Sequence, residues 1–182
     1  MNPLDPQQPV PLDIPGLDLG ELAHALAGIE QEPAARFAQL LPQVVRRVLG
    51  QGAEADQALA DGGFVLNDST VVMRLNEDTD HIEFFCDIGM PQRHAREDAF
   101  RVALELNLCR TYPGITLGVH PISGRLVATT AVHSLLVADD EVCLQALDTL
   151  TQQVRRLRDS GALPLADEAA EGAEASDHAL RV

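Results

Sequence analysis

The sequence predicts an α+β fold, in the order helix, three-stranded antiparallel meander, helix, β-hairpin, helix. Three patterns carry that expectation. Residues His81 to Ile88 alternate cleanly, with Ile82, Phe84, Cys86 and Ile88 on one face and His81, Glu83, Phe85 and Asp87 on the other, as in a half-buried strand. Cys143, Leu147, Leu150, Val154 and Leu157 are spaced four, three, four and three residues apart, the period of an amphipathic helix. Between these segments, Ile115 to His120 and Arg125 to Val132 flank Pro121-Ile122-Ser123-Gly124, two strands around a turn.

The remaining elements follow in chain order. Residues 1–18 hold Pro3, Pro6, Pro9, Pro11 and Pro15, a density that stops both helix and sheet, and are expected to form a disordered proline-rich arm. A single domain is expected over 19–161. From Leu19 to Gly50 the spacing turns helical, with one stripe at Leu22, Ala25, Leu26 and Ile29 and another at Phe37, Leu40, Leu41, Val44, Val45 and Val48. Pro33 suits the first turn of the second helix. Pro42 either kinks that helix or breaks it, restarting through Val48.

A polar connection from Gly50 to Gly63, with a helical turn near Ala55 to Ala60, leads into the meander. Gly63 to Asn67 is its first strand, Asn67-Asp68-Ser69 has turn chemistry, and Ser69 to Leu75 places Val71, Met73 and Leu75 on one face. Gly89 and Pro91 stop the third strand. Gln92 to Arg110 then has helical spacing, with Ala99, Val102, Ala103 and Leu106 on one side and Phe100, Leu104 and Leu108 beside them. A helix covering a sheet needs one apolar face, so the second stripe points to a contact with another subunit. Asp139 or Asp140 can cap the last helix, Arg155, Arg156 and Arg158 suit its C-terminal dipole, and Gly161 can end it. Residues 162–182 are rich in Ala, Glu, Asp and Gly and are expected to form a disordered acidic tail.

Composition narrows the functional classes. The chain has 182 residues, 28 acidic against 13 basic, and a formal net charge of -15, which repels phosphate backbones and argues against nucleic acid as a partner. The N-terminus has neither a basic region nor an apolar run, and no stretch of about 18 apolar residues occurs, so a cytoplasmic protein without membrane insertion is expected. Cys86, Cys109 and Cys143 are odd in number, widely spaced and flanked by apolar residues, which fits buried free thiols better than disulfides.

Reaction chemistry is hard to place. His81, Cys86, His94 and Cys109 match no zinc spacing, and on a strand His81 and Cys86 face opposite ways, so no metal site is assigned. Asp139-Asp140-Glu141 lacks the glycine-interrupted ligand loop of a calcium site. Ser134 adjoins His133 without a G-x-S-x-G elbow, and Gly62-Gly63 has no phosphate-loop lysine near it, since every basic residue is arginine. No catalytic residue and no cofactor are therefore expected. A recognition surface remains: Phe64, Val65, Val72 and Phe85 can lie opposite or beside the core set, where an extended peptide could dock or pair with an edge strand. The alternative is that the helix from Phe37 to Val48 covers that face.

The element order resembles the class I type III secretion chaperones, the CesT/Tir-chaperone-like family. Ala60-Asp61-Gly62-Gly63-Phe64-Val65-Leu66-Asn67 is similar to its approach to the first strand, and Ala103-Leu104-Glu105-Leu106-Asn107 to its Leu-rich, Asn-containing helix end. Gly114 to Leu126 is similar to its hairpin and Asp139 to Leu157 to its last helix, so the resemblance spans roughly residues 35 to 160. It implies a small acidic homodimer of chaperone-like α/β sandwich fold, without enzymatic activity, that serves bacterial virulence. Such a protein binds the N-terminal region of a secreted effector or translocator and keeps it soluble and secretion-competent. A regulator or scaffold that binds a secretion-apparatus component is the alternative. In that family the helix between the third and fourth strands helps form the dimer, which makes Phe100, Leu104 and Leu108 the expected interface. The proline-rich arm, the segment Leu19 to Ile29 and the acidic tail depart from the family pattern.

Overall fold

The computed structural model describes residues 32–137 and 140–166. The expected arm, the helical segment Leu19 to Ile29, Asp139 and the tail beyond Ala166 lie outside the described residues. The chain opens with α1 (Pro33–Leu49), α2 (Ala53–Asp61), β1 (Gly63–Leu66), β2 (Ser69–Asn76) and β3 (His81–Gly89). A 3-10 turn at Arg93–Ala95 leads into α3 (Arg96–Leu108); β4 (Thr116–Val119), β5 (Leu126–His133), a second 3-10 turn (Ser134–Leu136) and α4 (Asp140–Asp159) complete the domain.

The five strands form one antiparallel sheet in the order β1-β2-β3-β5-β4. β5 returns to pair with β3, Phe84 opposite Thr130 and Ile82 opposite Val132, and β4 becomes one edge. Alternation then sorts every strand into two faces. Phe64, Val71, Met73, Ile82, Phe84, Cys86, Leu117, Leu126 and Ala128 point to one side and are buried. Leu147, Leu150, Val154 and Leu157 of α4, Leu40, Val44 and Val45 of α1, and Ala55 and Ala58 of α2 complete the same core.

α1 is continuous through Pro42, with Pro33 in its first turn. The proline forfeits one backbone hydrogen bond, and burial of the flanking Leu40, Val44 and Val45 offsets that loss. α1 therefore covers the core face of the sheet, and no described helix lies on the other face.

Two side chains fasten elements that are distant in sequence. Asn107, near the end of α3, donates from Nδ2 to the carbonyl of Leu117 and accepts the Leu117 amide at Oδ1, both at 2.8 Å. One amide side chain thus occupies the outer edge of β4 as a neighbouring strand would, which blunts an edge otherwise ready for pairing. Arg158 donates to the carbonyls of Ile88 (2.7 Å), Asp87 (2.9 Å) and Asp68 (3.0 Å), and to Ser69 Oγ (3.1 Å). It ties the end of α4 to the β1–β2 turn and to the end of β3. Gly89 sits there at φ 136° where the β3–β5 register shifts, a conformation that suits glycine.

The domain reaches beyond the boundary expected at Gly161. Leu163 is buried, and Pro91 bridges Leu165, with Gln92 donating its amide to Pro164 O and Ala166 donating to Met90 O. Leu163 and Leu165 stand at the start of a stretch whose composition is otherwise acidic and rich in alanine, which hid these contacts.

Arg158→Ala should lower stability by about 3 kcal/mol, since it leaves several carbonyls without a charged donor. Urea unfolding reads the loss, and Arg158→Lys should recover only part of it, because an ammonium cannot span acceptors on two elements. A loss below about 1 kcal/mol would contradict a fastening role.

Candidate functional site

Two open surfaces hold most of the binding and interface residues expected from the sequence. The first is the outer face of the sheet. The pairing of β2 with β3 sets Val72 opposite Phe85, Arg74 opposite Glu83 and Asn76 opposite His81. On the far side of β3, β5 contributes Val127, Thr129, Ala131 and His133, and β4 adds Thr116 opposite Thr129. Arg74, Phe85, Thr116, Thr129 and Ala131 line a shallow depression there.

Polar groups hold this surface in shape. The Arg74 guanidinium lies 4.6 Å above the Phe85 ring and donates to Glu83 Oε2 at 2.8 Å. Asn76 donates to the other Glu83 oxygen at 2.9 Å. The Asn76 hydrogen bond, joined by Arg74, holds the Glu83 carboxyl below its ordinary value of 4.5 against a counteracting cost of burial. At the other end Arg125 grips Asp87 with two donors, Nε to Oδ1 at 2.8 Å and Nη2 to Oδ2. The apolar centre of Val72 and Phe85 is thus framed by paired charges.

Of the four expected binding residues, three share this face. Val65 is 60% exposed and Val72 38%, and Phe85 lies between them and β5 in the sheet. Phe64 is a correction: it pairs with Val71 on the core side and is 6% exposed. The two-residue turn Asn67-Asp68, both at positive φ, fixes that register, and counting back from it places Phe64 inward. Thr116, Thr129 and Ala131 were missed in the sequence because they join the surface only through strand pairing, and Arg74, which shares the Val72 face by alternation, because a charged residue there reads as ordinary solvent-facing surface.

The second surface is the outward side of α3. Ala99 and Ala103 are buried, whereas Leu104 is 67% and Leu108 85% exposed. With Phe100 they form an apolar groove bounded by Glu97, Arg101 and Glu105, and Arg101 pairs with Glu105 at 2.8 Å. The three residues expected at a subunit contact are therefore brought together.

Other reactive groups have structural roles. Ser134 donates to Asp80 Oδ1 at 3.0 Å and accepts from Arg36 at 3.1 Å, while His133 Nδ1 accepts the Leu135 amide at 3.2 Å, so the pair forms no nucleophile and base. Burial pushes the Cys86 thiol up to about 11, and Cys143 is buried as well, but Cys109 is exposed, against the expectation of buried thiols. No group of three potential metal ligands converges among the described residues, and none of their helices is long and apolar enough to cross a membrane.

The fold is α+β, a sheet with helices on one face. No protein-family model matches the chain, and no curated protein matches it significantly. Among solved structures it is similar to a chain of the HopA1–SchA chaperone–effector complex, at 13% identity and TM-score 0.49, covering 74% of this chain and 97% of that one. A chain of the ExsC–ExsE complex is similar at 14% identity and TM-score 0.48, covering 70% and 99%. Identities this low leave the activity to be argued from the surfaces themselves.

Glu83 has a signed consequence for pH. Its folded value lies below its unfolded one, so its stabilising contribution is complete above about 4.5 and is lost as pH falls through the folded value. Glu83→Gln should flatten the decline in stability as pH falls below about 4.5, as read by urea midpoints. A decline as steep as in the parent protein would exclude the contribution.

Proposed function

We propose that this protein is a non-enzymatic cytoplasmic chaperone that binds the N-terminal region of a type III secreted effector or translocator in extended form. The observation that carries the reading is the outer sheet face, a solvent-open surface with an apolar centre at Val72 and Phe85 and no helix of the described chain upon it. An extended segment lies naturally along strands, with alternate side chains reaching Val65, Val72 and Phe85. The net charge of -15 favours a client with basic or polar residues and keeps the loaded complex soluble.

The working unit in this proposal is a homodimer joined through α3. Leu104 and Leu108 are too exposed and too close together to be scattered surface leucines. A two-fold axis across the groove would set two α3 helices antiparallel, with Arg101 of one copy near Glu105 of the other. The groove is then self-complementary in both apolar and charged parts.

Capture from the cytosol of the source bacterium, followed by mass spectrometry, tests the client. One stoichiometric secreted protein is expected; an apparatus component instead would favour the regulator or scaffold reading. Paired Val72→Asp and Phe85→Ser changes should reduce capture at least tenfold while leaving circular dichroism unchanged, and undiminished capture would refute the outer face as the site. Leu104→Glu should convert a dimer to a monomer in light scattering by burying an unpaired charge. A parent protein that is already monomeric at micromolar concentration, or a variant that stays dimeric, would refute the α3 interface.

A further inference from the structure

The end of β5 carries an apolar surface that neither proposed contact uses. Leu135 is 40% and Leu136 70% exposed, and Val132 and Val137 beside them are half-buried. This turn is firmly anchored. Ser134 donates its amide to Asp80 O at 2.9 Å and its hydroxyl to Asp80 Oδ1, the Leu135 amide is held by His133, and Val137 donates to Ser134 O at 3.2 Å. The two leucines are thus held outward on a preorganised support, which lowers the ordering cost of whatever packs on them.

α1 begins at the same place. Its first turns pack against the Ser134–Leu136 turn, and Arg36 donates to Ser134 Oγ at 3.1 Å. The chain that precedes α1 therefore enters the domain beside Leu135 and Leu136. That chain carries its own apolar stripe, Leu22, Ala25, Leu26 and Ile29, at the spacing of one helix face, with Glu21 before it and His24 within it. A segment of this length is marginal as an isolated helix and needs a surface to hold it.

We propose that the segment from Leu19 to Ile29 is the occupant of the Leu135–Leu136 surface, laying its apolar stripe across the turn within its own chain. Glu30, Gln31 and Glu32 form the tether, which spans at most about 11 Å when extended. A tether this short keeps the segment at an effective concentration on the order of millimolar at the turn, so even a weak apolar contact is well populated. A second copy or a client would have to displace a segment already in place. The proposal stands apart from the client-binding reading, because it makes no use of Val65, Val72 or Phe85.

Disulfide trapping in the full-length chain tests it. Cys109, the exposed native thiol, is first changed to Ser, and Ala25→Cys is then combined with Leu136→Cys or, as a control, with Val65→Cys on the sheet's outer face. Under mild oxidation the 25–136 pair should close within one chain at least ten times faster than the 25–65 pair, at a rate independent of protein concentration. Equal rates overturn the proposal, and so does closure only between chains, the result expected if a second copy occupies the turn. Hydrogen exchange gives an independent reading: Leu22→Glu with Leu26→Glu should raise exchange at Leu135 and Val137 at least tenfold without altering β3, and unchanged exchange at the turn overturns the proposal as well.

Discussion

The guanidinium of Arg158 sits where the last helix, the β1–β2 turn and the end of β3 meet, and the placement of the sheet against its helices depends on it. It fills acceptors on Asp68, Ser69, Asp87 and Ile88 that would otherwise lie half-buried at the closed end of the core. A lysine would satisfy fewer of them, since the spread of acceptors matches a planar fork of donors. Because α4 also supplies Leu147, Leu150, Val154 and Leu157 to the core, fixing its end fixes which side of the sheet is dry.

A five-stranded sheet has two faces, and the described helices α1, α2 and α4 all cover the same one. The opposite face is left with Val72 and Phe85 at its centre and ion pairs at either end, Arg74 with Glu83 and Arg125 with Asp87. Such pairs add little stability when exposed, but they orient the long side chains and keep an apolar strip from becoming an indiscriminate sticky surface. The edges are treated unequally. Asn107 closes β4, whereas β1, at the other edge, is a short four-residue strand. Strand addition is therefore hindered at the β4 edge and offered only four residues at the β1 edge.

Much of this was legible in local pattern. Strict alternation in β2 and β3 assigned Val72 and Phe85 to the face opposite the core, and helical period separated Ala99 and Ala103 from Leu104 and Leu108 in α3. Phe64 failed because β1 has only four residues, too few for alternation to speak, so that its face is set by the tight turn at Asn67-Asp68 and the pairing that follows. Cys109 failed for a similar reason: its neighbours Leu106 and Leu108 are apolar, yet it falls just past the end of α3 and is exposed.

The sequence by itself determined the type and order of the elements and, within each strand or helix, which residues share a face, because those depend on periodicities of two and 3.6 residues that are written locally. Only the tertiary structure decided that β5 pairs with β3, that α1 runs unbroken through Pro42 onto the core side, and that the chain returns through Leu163 and Leu165 to Met90 and Gln92. Each of those outcomes is a contact between segments far apart in sequence. It is selected by which arrangement buries the most apolar surface while leaving the fewest backbone groups unpaired, and no local window contains that comparison.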